Sequence, residues 1–276
     1  MKVAFKITPI ITNFAENYLL AELCNNEISF LIYTQNPMTL VGFYKFELDT
    51  NTIGIDYAEA IKTIINSEIV LQQNYATTNI FYNFLYSSLV PTKYFVDTEK
   101  EKVLTLMFGI DADTFCFQEN VVNNDIKNIY RISTNIYDTI NNILSNNSFK
   151  HSTTAQIPLG KYLVNTIECI VYGNNIKVLL FKEGNIHIVQ FFEYVTPIDV
   201  SYHLLNVCER FTISPNDVQL ILSGMIEENS NLYSDIYKYF LHISFASLPA
   251  DILITEDMKA MPNHFYTNLT ALAQCV

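Results

Sequence analysis

The chain has 276 residues, 50% of them hydrophobic, with a formal net charge of −12 and a mean hydropathy of +0.16. That length supports one large core or two smaller ones. With 16 Lys and Arg against 28 Asp and Glu, and with Arg131 and Arg210 as its two arginines, the chain lacks the clustered basic surface that phosphate backbones require, which excludes nucleic acid as an expected partner and leaves solubility as the reading of the acidity.

In chain order, Lys2 and Lys6 precede a short apolar run, residues 7–11, that Pro9 interrupts, so no export signal is expected. Strands are predicted over residues 18–23, 27–33 and 40–47, with Asn25-Asn26 as the tight turn between the first two. A helix over residues 57–72 places Tyr57, Ile61, Ile64, Ile65 and Ile69 on one stripe, and a strand over 79–86 follows. The uncharged stretch 69–92 carries Gln72, Gln73, Asn74, Asn79, Asn83 and Pro91, amides too costly for hydrocarbon, so no membrane insertion is expected.

Residues 97–108 read as a helix, and Phe115-Cys116-Phe117 with residues 126–132 as a hairpin joined through Asn123-Asn124. A helix over 135–144 ends in Ser145-Asn146-Asn147-Ser148. A second half begins near Phe149, with strands over 166–172, 176–181 and 185–194, a helix opened by Pro197 with Asp199 in its first turn, a strand over 217–222, and helices over 232–240 and 262–273.

The two halves repeat one another about 148 residues apart. Glu27-Ile28-Ser29-Phe30-Leu31-Ile32-Tyr33 answers Asn175-Ile176-Lys177-Val178-Leu179-Leu180-Phe181, and Ile55-Asp56-Tyr57-Ala58 answers Ile198-Asp199-Val200-Ser201. Three meandering strands, a helix and a strand returning parallel make a ribonuclease-H-like unit. The expected fold is therefore α/β, with tandem ribonuclease-H-like units in a two-lobed arrangement: residues 1–148 with an insertion at 97–148, then residues 149–276.

Three segments resemble an uncharacterised Bacteroidetes family, domain of unknown function (DUF) 3822. They are Ser88-Leu89-Val90-Pro91-Thr92-Lys93-Tyr94-Phe95, His151-Ser152-Thr153-Thr154, and Leu220-Ile221-Leu222-Ser223-Gly224-Met225 running on to Leu232-Tyr233 and Tyr239-Phe240. With the element order, the resemblance covers nearly the whole chain and implies an actin-like ATPase fold, with no activity attached.

Such an ATPase grips nucleotide phosphates with glycine-rich hairpins and holds magnesium with an aspartate beside each. The first equivalent turn here is Leu23-Cys24-Asn25-Asn26 and the second Tyr172-Gly173-Asn174-Asn175; neither has an aspartate. Leu220-Ile221-Leu222-Ser223-Gly224 resembles the adenosine-side strand, with Ser223 in place of a first glycine. The candidate cofactor-binding residues are thus Gly173, Asn174, Ser223 and Gly224, a degenerate nucleotide cleft, although turn chemistry alone accounts for Asn and Gly there.

Other chemistries fit less well. Gly160-Lys161 is followed by Tyr162 where a phosphate loop needs Ser or Thr, and the five histidines lack metal-ligand spacing, so no metal and no catalytic residue is assigned. Glu22 and Glu168 lie on the opening strands, where nucleases of this unit carry a metal-binding acid, but the following strands offer Asn83 and Ser223. Cys24, Cys116, Cys169, Cys208 and Cys275 are odd in number and widely spaced, which fits free thiols in a reducing cytoplasm. The expected function is a cytoplasmic, non-catalytic binding or scaffold module without a cofactor, with a protein partner or a second copy contacting the insertion. The alternative is a nucleotide-binding ATPase or phosphotransferase.

Overall fold

The computed structural model describes residues 2–11, 13–48, 56–122, 125–144 and 146–275. Ile55 of the repeat, the Asn123-Asn124 turn and Ser145 lie outside them. Two compact units form: residues 1–158 with 251–258 and 272–276, and residues 159–250 with 259–271. Residues 147–151 pair in parallel with residues 78–82 and complete the first sheet.

The first unit opens with strands β1 (Lys2–Ile7), β2 (Tyr18–Cys24), β3 (Glu27–Thr34) and β4 (Thr39–Glu47), then helix α1 (Tyr57–Ser67) and strand β5 (Thr77–Asn83). The inserted section contributes β6 (Ser87–Pro91), α2 (Lys100–Phe108), β7 (Thr114–Asn120), β8 (Ile126–Ser133) and α3 (Thr134–Ile143), before β9 (Asn147–His151) and the short α4 (Ser152–Gln156). The second unit holds β10 (Thr166–Val171), β11 (Asn175–Lys182), β12 (Asn185–Glu193), α5 (Pro197–Arg210), β13 (Gln219–Gly224), α6 (Asn231–Ile236) and β14 (His242–Phe245). Strand β15 (Leu253–Ile254) returns to pair with β4, and α7 (Thr267–Ala273) ends the chain's described structure.

The repeat is structural as well as sequential. The path β4-β3-β2-β5-β9 in the first sheet has the same order as β12-β11-β10-β13-β14 in the second. In both, the first three strands meander antiparallel and the next two pair in parallel. Ile28 belongs to the same buried core as Ile61, Ile64 and Ile65 of α1, and Ile176 to the same buried core as Leu204, Val207 and Cys208 of α5. Equivalent strand positions thus face the helix of their own unit, as the common register requires.

One stripe position differs from expectation. Helix α1 stops at Ser67 because Glu68 takes an extended backbone, φ −115 and ψ 100, and its carboxylate pairs with Lys6 on β1 at 2.8 Å. The following turn is a 3-10 helix over Ile69–Gln72, which shifts the phase, leaving Ile69 76% exposed and burying Leu71. The capping of α5 follows the sequence: the Asp199 carboxylate accepts from the Thr196 and Val195 backbone amides, which hold its pKa below the ordinary value.

The insertion forms a separate antiparallel sheet in the order β6-β8-β7, with β7 at one edge. Its Tyr130 and Ile132, with Ile140 of α3, belong to the core of the first unit. Phe117 also turns toward that core, its ring 5.5 Å from Tyr130 and 5.3 Å from Phe149, whereas Phe115 is 43% exposed. The expected aromatic edge therefore presents Phe115 in part, its ring also packing edge-on against Tyr137 at 5.2 Å, while Phe117 is consumed by packing.

Candidate functional site

The two hairpin turns that such folds use for phosphates are built differently. In the first, the Leu48 amide donates to Asn26 O at 2.8 Å, and the Tyr57 hydroxyl donates to Cys24 O at 2.8 Å. Behind the turn, Asn83 Nδ2 lies 3.4 Å from Cys24 Sγ, and the Ser152 hydroxyl donates to Asn83 Oδ1 at 2.5 Å. Glu27 and Lys45 form a buried ion pair on the same face, and burial pushes the Cys24 thiol well up. These polar groups satisfy one another, which is what a buried set must do to be tolerated.

In the second turn, the Tyr172 amide donates to Asn175 O at 2.9 Å to close the hairpin. The Tyr194 amide donates to Asn174 O at 3.0 Å, and the Tyr194 hydroxyl lies 3.2 Å from both Tyr172 O and Gly173 O. Parallel pairing of β10 with β13 sets Val171 opposite Gly224 and Ile170 opposite Ser223. The four candidate residues therefore converge at one end of the second sheet, Gly173 and Asn174 two and three positions past Val171.

The glycine at 224 answers a backbone demand. Its φ is +79, and a Cβ there would stand 2.2 Å from Val171 O, which already accepts from the Met225 amide at 2.7 Å. The space of the missing side chain is thus filled by the neighbouring strand and is not a cradle for a phosphate. Ser223 is buried, and no carboxylate stands among the four residues. This constellation does not fit a magnesium-bound nucleotide.

Register also separates the two glutamates. Glu22 pairs with Ser29 and Phe81, whereas Glu168 pairs with Leu179 and Ile221. In the repeat, Glu22 corresponds to Ile170, and Glu168 sits one pleat away. Glu22 is buried, and Glu168, partly buried, has its carboxyl raised to about 7 by desolvation. Among the described residues no three His, Cys, Asp or Glu side chains gather as a metal site. His203 stacks on Phe192 at 4.5 Å, a packing role.

The His151-Ser152-Thr153-Thr154 segment occupies the first unit. His151 Nδ1 accepts from the Thr153 amide at 3.2 Å, capping α4, while its Nε2 faces Phe84 O at 3.3 Å, a pairing that suits a proton on Nε2. The His151 amide donates to the Glu119 carboxylate at 3.0 Å, and so does the Tyr130 hydroxyl at 2.5 Å. Burial nevertheless raises the Glu119 pKa. Glu119, Val122, Lys150, Thr154, Pro158 and Cys275 line a largely apolar cavity of about 440 Å³. Sequence reading missed Glu119 because its partners come from strands 11 and 32 residues away.

The model of proteins of unknown function (DUF3822) matches residues 8–243. The chain belongs to this family. Its fold is similar to that of a Bacteroides thetaiotaomicron protein with actin-like ATPase fold and unknown function, at 19% identity and a TM-score of 0.76, covering 95% of this chain and 97% of that one. It is also similar to a PilM–PilN type IV pilus biogenesis complex, at 10% identity and a TM-score of 0.65, covering 95% and 98% of the two chains. A third likeness is to the cytoplasmic domain of EpsL, an inner membrane component of the type II secretion system of Vibrio cholerae, at 11% identity and a TM-score of 0.50, covering 91% and 97%. No curated protein matches the chain in sequence. These likenesses establish the DUF3822 chain as an actin-like ATPase fold built from two ribonuclease-H-like units. Among the described residues, no helix is long and apolar enough to cross a membrane.

Proposed function

We propose that this DUF3822 protein is a non-catalytic actin-like-fold protein that serves as a cytoplasmic binding or scaffold module, with a protein partner or a second copy meeting the inserted section. The observation that carries this reading is the chemistry of the two phosphate turns: Asn25-Asn26 and Gly173-Asn174 bring no carboxylate to hold magnesium. The PilM–PilN likeness supports it, since that structure, similar in fold to this chain, is described as a type IV pilus biogenesis complex. The edge position of β7 supplies a place for pairing.

The reading is tested by melting the purified protein with and without magnesium-ATP. Saturation of even a weak site would stabilise the folded state by RT ln(1 + [L]/Kd), so the expected result is an unchanged melting temperature. A magnesium-dependent rise would favour the second reading, an ATPase or phosphotransferase centred on Gly173, Asn174, Ser223 and Gly224, which draws on their convergence beside Val171.

The contact surface is tested separately. Phe115→Lys replaces an exposed edge residue and leaves Phe117 in its packing, so circular dichroism is expected to show an intact fold. Self-association, read by sedimentation, or capture of a partner from native cytoplasm should then fall at least several-fold. Unchanged association by the folded variant would remove β7 as the contact.

A further inference from the structure

The second sheet leaves open an edge that the first sheet closes. Strands β4 and β12 hold the same place in the repeat, since Glu27 lies opposite Glu47 as Asn175 lies opposite Glu193, and each carries one bulged residue near its start, Val41 and His187. The chain covers β4 with strands of its own: β1 sets Phe5 opposite Lys45 and Ile7 opposite Phe43, and β15 pairs beside Thr39 and Leu40. Strand β12 ends its sheet, and among the described residues no strand pairs with its outer side.

The pairing fixes which backbone groups look outward. The Tyr194 amide donates to Asn174 O at 3.0 Å, and antiparallel bonding alternates, so Phe192 and Gln190 turn their backbone toward β11 while Phe191 and Val189 turn theirs away. These are the counterparts of Lys45 and Phe43, which β1 takes in the first unit. Among the described residues the outward groups of Val189 and Phe191 meet a single partner, the Gln190 side chain, which donates to Phe191 O at 3.1 Å. Open edges are commonly guarded by lysine, proline or shortness. At the edge of the first sheet β1 carries Lys2 and Lys6, and at the far edge of the second sheet β14 has four residues. Strand β12 has nine residues, with no proline or lysine and no charged residue before Glu193.

We propose that β12 pairs antiparallel with β12 of a second copy, across a twofold axis at Gln190. The stretch His187-Ile188-Val189-Gln190-Phe191-Phe192-Glu193 is its own complement in that register. Val189 lies opposite Phe191 and Ile188 opposite Phe192, β-branched side chains against aromatic ones, a favoured cross-strand combination. At each end His187 lies opposite Glu193, an imidazole N–H beside a carboxylate, and both side chains are exposed. The same register sets the outward groups of Val189 against those of Phe191, so each such pair exchanges its backbone N–H and C=O bonds. Sliding the register by two residues sets Glu193 opposite Asn185 or Val189 and loses the match. The surface belongs to the second unit, and it goes beyond the β7 contact of the inserted section.

A contact between two strands is small, so association is followed by sedimentation up to about 300 µM, together with cross-linking. The wild type should dimerise. Val189→Pro removes an outward amide and spares the β11 ladder, while Gln190→Lys alters an exposed side chain and sets two like charges together at the axis. Each, once circular dichroism shows it folded, should weaken dimerisation about tenfold or more, and Gln190→Lys keeps the test decisive if the proline variant unfolds. Residues facing each other at the axis in a non-hydrogen-bonded pair have Cα atoms about 4.5 Å apart, within disulfide range. Gln190→Cys should therefore give a disulfide-linked dimer under diamide where the wild type gives none. Adding Phe115→Lys should leave that cross-link unchanged, which separates this contact from one at β7. The proposal is overturned if the wild type stays monomeric at about 300 µM, if the folded variants dimerise as it does, if Gln190→Cys cross-links no better than the wild type, or if Phe115→Lys abolishes the cross-link.

Discussion

Replacing Gly224 with alanine is expected to lower stability by roughly 3 kcal/mol. The left-handed backbone costs a non-glycine residue about 1–2 kcal/mol, and overpacking a well-filled site costs a further 1–3 kcal/mol. Both apply here, because φ is +79 and the added Cβ would meet Val171 O at 2.2 Å, a backbone atom that cannot move without breaking the β10–β13 pairing. Urea denaturation would read the loss as a lower midpoint at unchanged slope. The companion variant Ser223→Gly restores the glycine pair of a nucleotide-binding strand and should cost only about 0.5–1 kcal/mol, the usual penalty for glycine within a strand. It should gain no response to magnesium-ATP, because the missing group is a carboxylate and not a glycine. A fully stable Gly224→Ala protein would show that the glycine is free of backbone demand and would return it to the list of ligand-approach residues.

That contrast explains how far the sequence could be read. The apolar alternation of residues 27–33 and 175–181 stated the duplicated meander, since each residue packs against neighbours that the pleat itself specifies. Convergence of Gly173 with Ser223 followed from the same repeat. Strands β9 and β14 were not legible, because they are short and half polar, as in Asn147-Ser148-Phe149-Lys150-His151, and exist through parallel pairing with β5 and β13. The phase of Ile69 was lost to an ion pair from Lys6, 62 residues away. Arg131 gave one faint signal, a rare arginine in an apolar strand. Its packing depends on Tyr86, Phe108 and Gly109, which the fold assembles and no local pattern announces.

Glu168 makes the most direct pH-dependent contribution that the structure predicts. Desolvation on β10 raises its carboxyl to about 7, against an ordinary glutamate near 4.3 in the unfolded chain. Below the unfolded value both states hold the proton, and the group contributes nothing. As pH rises from there to about 7 the folded state alone keeps the proton, so unfolding releases it and stability falls. Above pH 7 the folded state carries a partly buried charge, and the accumulated loss reaches up to about 4 kcal/mol, at 1.36 kcal/mol per unit of pKa difference. Glu168→Gln stays neutral throughout. It should therefore match the wild type at pH 4, exceed it progressively as the pH rises through the interval between the two pKa values, and be more stable by up to about 4 kcal/mol at pH 8. Because Glu119 is also raised by burial and is unchanged in the variant, the quantity to measure is the difference between the two denaturation curves across pH. Parallel curves would mean that the Glu168 carboxylate is solvated in the folded protein. A variant less stable at pH 8 would mean that the charge is wanted there, and would reopen the question of a cation beside β10.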